Sequence, residues 1–120
     1  MTTFYINPVN LIQTLTMALD LAVDGVSLHQ RRTAIICGHL AEKINMPVAE
    51  EHVLLSAALM HDIGAASSTE ERKKLADPNV GWDKNDIFQH AESGYQLLVN
   101  SGTFLEVADG IRYHHDHWNG

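Results

Sequence analysis

The stretch VLLSAALMHDIG, Val53 to Gly64, constrains the fold more than any other part of the chain. From Val53 to Met60 it is apolar apart from Ser56 and small throughout its middle, so neighbouring elements must cover it. Yet the run closes on His61 and Asp62, two titratable groups side by side. A buried helix end ordinarily finishes with a capping residue or a glycine, and Gly64 fits that place. The imidazole and carboxylate before it must then be paired, exposed or bound to something.

Length and composition bound what can supply the cover. With 120 residues, 45% of them hydrophobic, residues 1–120 fit a single domain with a sizeable core. No stretch approaches the roughly 20 apolar residues of a membrane span, and the N-terminus lacks a basic region followed by an apolar one; a cytoplasmic protein is expected. Cys37 is the single cysteine, which excludes an internal disulfide and agrees with a reducing compartment. Between Ile36 and the residues that follow, and close to Ile35, it reads as a buried, inert thiol. The net charge of −7 argues against a nucleic-acid polymer as partner. A small anionic ligand stays compatible where cations in the site, metal ions included, outweigh the surrounding carboxylates.

The chain reads as a series of helices. Asn7-Pro8 is an N-cap and first helical position, followed by the stripe Leu11, Ile12, Leu15, Leu19 and Ala22, with an end expected near Asp24-Gly25. Ser27 and Gln30 form a capping-box pattern for a second helix, carrying Ala34, Ile35, Leu40 and Ala41 and stopping before Pro47. Pro47 can start a third, with Glu50 and Glu51 at the positive end of its dipole and its end at Gly64. Ser67 to Glu70, or Ser68 to Glu71, opens a short polar helix that Pro78 terminates. Asp86 with Gln89 marks the next, with His90 in its first turn, running to Asn100. Thr103 with Glu106 marks the last, through Val107, Ile111 and Tyr113 into His114 and His115. Strand-like alternation is scarce, so the expected fold is an all-α bundle of about five to six helices.

One compositional outlier points to chemistry: eight histidines against eight lysines plus arginines. Histidine is the commonest side-chain metal ligand. Five of the eight, His29, His61, His90, His114 and His115, fall at helix ends or first turns, where a bundle can bring them to one cavity. His39, His52 and His117 read as ordinary surface histidines. Helix neighbours point about 100° apart, so His61 with Asp62, or His114 with His115, can share a centre only if it is broad or lies at a distorted helix end. Two metal ions roughly 3.5–4 Å apart are broad enough, and a carboxylate can bridge them. Asp62 is the candidate bridge.

The residues in this order resemble the HD phosphohydrolase superfamily and, more narrowly, its HD-GYP branch. HQRRTAIICGHLAEKI is similar to the family's first-histidine helix, AALMHDIG to the helix that names the superfamily, HAESGYQLL to its later His-and-Gly helix, and IRYHHDHWNG to its double-histidine segment. The resemblance covers residues 27–120. It implies an HD-domain helical bundle, a centre of two or sometimes three metal ions, and hydrolysis of a phosphodiester, with cyclic di-GMP the usual HD-GYP substrate. It places His29, His61 and Asp62 on one metal and His90, His114 and His115 on a second that Asp62 also reaches. Iron or manganese come first and zinc next; together the ions would activate water for attack on phosphorus.

The chain also departs from the family pattern. Ala65 stands where the family commonly carries a phosphate-binding lysine after HDIG. Arg112, one turn from the double histidine, is the candidate substrate contact in its place; Lys73 or Lys74 reads as part of a solvated face, and one of Arg31 and Arg32 could face the site. HD-GYP proteins continue past the HHDHWNG segment with a further aspartate ligand, whereas this sequence ends at Gly120. A fragment, or a reduced HD domain, is expected, and a fragment would leave apolar surface that a homodimer could bury. The alternative to a hydrolase is a catalytically degenerate HD domain serving as a nucleotide-binding or protein-interaction signalling module; an HD enzyme acting on a nucleotide monophosphate is a third reading.

Overall fold

The computed structural model describes residues 2–22, 28–77, 79 and 84–119. It is all-helical: α1 (Pro8–Ala22), α2 (His29–Lys43), α3 (Val48–Met60), a 3-10 turn (Ile63–Ser67), α4 (Thr69–Ala76), α5 (Lys84–Leu98) and α6 (Leu105–Arg112). No strand occurs among the described residues.

Local chemistry sets several of these boundaries. The Asn7 side chain accepts the Val9 N–H at 2.9 Å, the expected cap of α1. At the end of α2, Asn45 takes φ 53°, a left-handed conformation that asparagine tolerates better than most residues. Its N–H donates to the Glu42 carbonyl (3.1 Å) and that of Met46 to Ala41 (2.9 Å), the pair of bonds that closes a Schellman end. Ser68 caps α4 by accepting the Glu71 N–H, so the later of the two candidate boxes is the one used.

α3 is the central element, with α1, α2 and α6 packed around it. The core joins Ile12, Met60, Ile63, Leu98, Phe104, Val107 and Ile111 from four helices and the 3-10 turn. Ala34 and Ala41 seat α2 on the other side of α3. The Thr16 hydroxyl, buried on α1, lies 2.8 Å from the Ile12 carbonyl and 3.2 Å from that of Leu59, holding α1 against the last turn of α3.

Several expectations need correction. α3 stops at Met60 and not at Gly64: His61 is its C-cap, Asp62 follows in a turn, and a 3-10 turn takes over from Ile63. α5 begins at Lys84, which puts Asp86 inside the first turn instead of at the cap and His90 in the second turn. α6 begins after Phe104 with no side-chain cap, because burial of the Phe104 ring, 6% exposed, fixes that entry and Thr103 is left exposed. α6 ends at Arg112, so His114 and His115 leave the helix axis. Ser27 and the Asp24-Gly25 end lie outside the described residues. Ile35, Ile36 and Leu40 are 60% exposed, and Cys37 is half-buried rather than enclosed, since it shares a helix face with His29 and Thr33 instead of with Ala34 and Ala41.

Gly64 is what lets the segment after α3 lie on α5. A Cβ there would stand 1.9 Å from the His90 carbonyl oxygen and 2.5 Å from the Gly94 nitrogen, both backbone atoms. Gly94 answers it from the other side; a Cβ there meets the Ile111 side chain at 2.8 Å. Gly64→Ala is therefore expected to destabilise by about 3 kcal/mol or more, beyond ordinary overpacking, while Gly94→Ala, opposed mainly by a movable side chain, loses less. Urea unfolding of both variants checks the order, and equal stability of Gly64→Ala and the parent would contradict the close approach.

Candidate metal centre

The break after α3 puts two donors at one place. His61, at the C-cap, turns its Nδ1 to the Ala58 carbonyl at 2.8 Å. A carbonyl can only accept, so Nδ1 donates to it and Nε2 is the nitrogen left facing inward, for a proton shared with Asp62 or for a cation that displaces that proton. Asp62, 3% exposed, lies beside it with Oδ2 3.0 Å from His61 Nε2. Gly64 then seats the turn on α5 at His90, a residue 1% exposed whose Nε2 lies 3.4 Å from Asp62 Oδ1. His29, the first residue of α2, approaches from the opposite side with its Nε2 3.4 Å from Asp62 Oδ2. One carboxylate thus faces His29 and His61 with one oxygen and His90 with the other.

The turn after α6 completes the cluster. His114 repeats the arrangement of His61: Nδ1 lies 2.6 Å from the Ile111 carbonyl, leaving the Nε2 lone pair directed at the centre. His90 Nε2 is 3.3 Å from His114 Nε2 and 3.0 Å from His115 Nε2, and His29 and His61 meet through Nε2 atoms 3.2 Å apart. A proton on one imidazole can satisfy only one such contact, and the remaining lone pairs repel. A cation removes that conflict. Donors bound at about 2.1 Å to one metal stand about 3.0–3.4 Å from each other in octahedral or tetrahedral geometry, which is the spacing found here.

The donor atoms divide into two groups, His29, His61 and Asp62, and His90, His114 and His115, each lying within 4.8 Å of one another. Imidazoles with one carboxylate suit divalent transition metals. The structure therefore brings together all six residues expected at the centre, and the set fits metal. His39, His52 and His117 are exposed and stand apart from it.

The electrostatics agree with a ligand set. Burial alone would raise the Asp62 pKa, but the hydrogen bonds from His29, His61 and His90 outweigh it and hold the carboxyl far below the usual range. Burial lowers His61, yet its bond to Asp62 and the carboxylate charge leave it raised overall. His114 is pushed down to about 4 by burial and the neighbouring imidazoles, and His115 is lowered by burial and by His90. A metal displaces protons from these nitrogens.

The cations proposed from sequence do not line this cleft, which has a volume of about 330 Å³ and which, among the described residues, Leu75 of α4 lines beside the six. Arg112 donates from Nε to Glu92 at 2.8 Å and lies over the Tyr95 ring, 4.3 Å from its centroid. Arg31 faces α1 beside Gln13 and Met17, Arg32 is exposed, and Lys73 is exposed. Ala65, at 0% exposure, is enclosed in the 3-10 turn.

Sequence reasoning assigned Gln30 to a helix cap. Its side chain is instead buried, 2% exposed, and donates from Nε2 to Asp62 Oδ2 at 3.2 Å. The signal was its position: Gln30, Ala34 and Ala41 are the buried residues of α2, one helical face, and a glutamine on a buried face needs a polar partner. Gln30→Leu should keep the fold but weaken metal binding by about 10–100-fold, the range for loss of a group that orients a ligand. Competition with a chromogenic chelator measures it; an unchanged affinity would remove Gln30 from the site.

The family described as HD domain matches residues 26–120, most of the chain and every residue of the cluster. No curated protein and no solved structure matches.

Proposed function

The chain belongs to the HD domain family, whose members are generally metal-dependent phosphohydrolases, and from that premise we propose that it hydrolyses a phosphodiester in the manner of the HD-GYP branch. The observation that carries this is Asp62, one buried carboxylate whose two oxygens face two histidine groups. Cyclic di-GMP is the first substrate to test, on the strength of the order of motifs from His29 to His115.

His29, His61 and Asp62 would hold one divalent ion, and His90, His114 and His115, with Asp62 shared, a second; iron or manganese ranks ahead of zinc. When bound, such ions supply Lewis acidity toward phosphoryl oxygens and a water activated at neutral pH. The protein's own contribution is placement. The Ala58 and Ile111 carbonyls fix the tautomers of His61 and His114, and Gln30 holds Oδ2 of Asp62. With no lysine or arginine among the described residues lining the cleft, charge at a bound phosphate falls to the ions. That same observation favours a second reading, a degenerate HD domain that binds a nucleotide or a protein partner without turnover.

Asp62→Ala should lose both metal equivalents, or all but a small fraction, and reduce phosphodiester turnover by at least about 10³-fold, since one substitution opens both groups. Metal analysis of anaerobically purified protein beside a cyclic di-GMP product assay tests it. Unchanged turnover would sink the bridging role. Metal binding with nucleotide binding and no product would establish the second reading.

A further inference from the structure

A larger cavity, about 710 Å³, lies between α2, α3 and α6 and shares His29, His61 and His114 with the metal cleft. The three imidazoles are the common wall, so a ligand whose phosphate sits at the histidines can extend directly into this groove. Its size is within the roughly 300–1,000 Å³ of small-molecule sites. Ala57, Ala58 and Gly110 give it a floor of small residues, and Val53 and Leu54 add apolar wall. Gly110 serves the close seat of α6 on α3, since a Cβ there would come to 3.3 Å from that of Ala57.

The charge of the lining restricts what can enter. Among the described residues no lysine or arginine lines the groove, and its one carboxylate is Glu50, exposed at the rim in the first turn of α3. Thr33 has already committed its hydroxyl hydrogen to the His29 carbonyl, at 3.1 Å. A second anionic group would meet apolar surface and the Glu50 carboxylate, with no cation among the described lining residues to balance it. A flat, neutral group would bury well, and a carboxylate can only accept hydrogen bonds.

We propose that this groove holds the esterified group of the substrate, an uncharged ring of nucleobase size that presents hydrogen-bond donors to Glu50. The proposal rests on the hydrolase reading only in placing the phosphate at the shared histidines. It makes Glu50 a specificity residue, distant from the reacting bond, and it assigns the space beside Cys37 to the ligand.

Cys37 lines the groove and is the chain's single cysteine, so its alkylation reports occupancy without any turnover. The test is N-ethylmaleimide labelling of the metal-loaded protein, followed by intact mass, with guanosine 5′-monophosphate, phenyl phosphate and inorganic phosphate as probes. Guanosine 5′-monophosphate, whose base edge offers adjacent donors, should slow labelling at least about tenfold at saturation, and inorganic phosphate should leave the rate unchanged. Phenyl phosphate, a ring without donors, should need at least about ten times the concentration for equal protection. In Glu50→Ala the two ring compounds should become alike while metal content stays the same. Unprotected labelling with guanosine 5′-monophosphate, or equal protection by inorganic phosphate, would overturn the groove assignment, and an unaltered preference in Glu50→Ala would overturn the role of Glu50. Protection without hydrolysis of any phosphodiester would retain the groove and remove the hydrolase reading; hydrolysis without protection would do the reverse.

Discussion

The structure depends on one buried carboxylate. Asp62 is almost wholly removed from water at a point where α3 has stopped and the 3-10 turn has not begun. An anion there is costly unless several donors or cations meet it. Three elements do so: α2 through His29 and Gln30, the end of α3 through His61, and α5 through His90, which the turn after α6 meets in its turn through His114 and His115. A continuous helix through Gly64 would turn Asp62 about 100° from His61 and separate the two donors. The helix break is thus the local condition for the metal centre.

The apolar core is arranged to hold that break in place. Met60 and Ile63, on either side of His61 and Asp62, both belong to the central cluster, and Ile111 packs there one residue before Arg112 ends α6. Gly64 and Gly94 remove the side chains that would otherwise keep the turn away from α5. Positions of His90 and Asp62 are consequently set by packing of uncharged residues as much as by their own attraction. Thr16 adds a polar tie from α1 to the final turn of α3, which connects the helix outside the site to Leu59, two residues before His61.

Division of labour between the two cavities follows from their linings. The smaller one is almost entirely imidazole and carboxylate, with Leu75 as its apolar wall. The larger is mostly aliphatic, with one acid at Glu50. Among the described residues neither offers a lysine or arginine, and Arg112 is held by Glu92 and Tyr95. Phosphate affinity in such a site must come from ions, whereas discrimination among esters must come from shape and hydrogen bonding.

The sequence by itself determined the helical fold class, because periodic apolar positions and helix-start residues recur along the chain and strand alternation does not. It also marked the six residues of the cluster, since His-Asp after an apolar run and paired histidines after another are hard to accommodate otherwise, and the family's motif order named the rest. Only the tertiary structure decided the break at Met60, the burial of Ala65, the engagement of Arg112 by Glu92 and the diversion of Gln30 from cap to ligand partner. Each of these is a contest between a local preference and a contact made by residues distant in the chain. Local patterns carry the first term; the second, set by burial and by which helix lies opposite, exists only once the chain has folded.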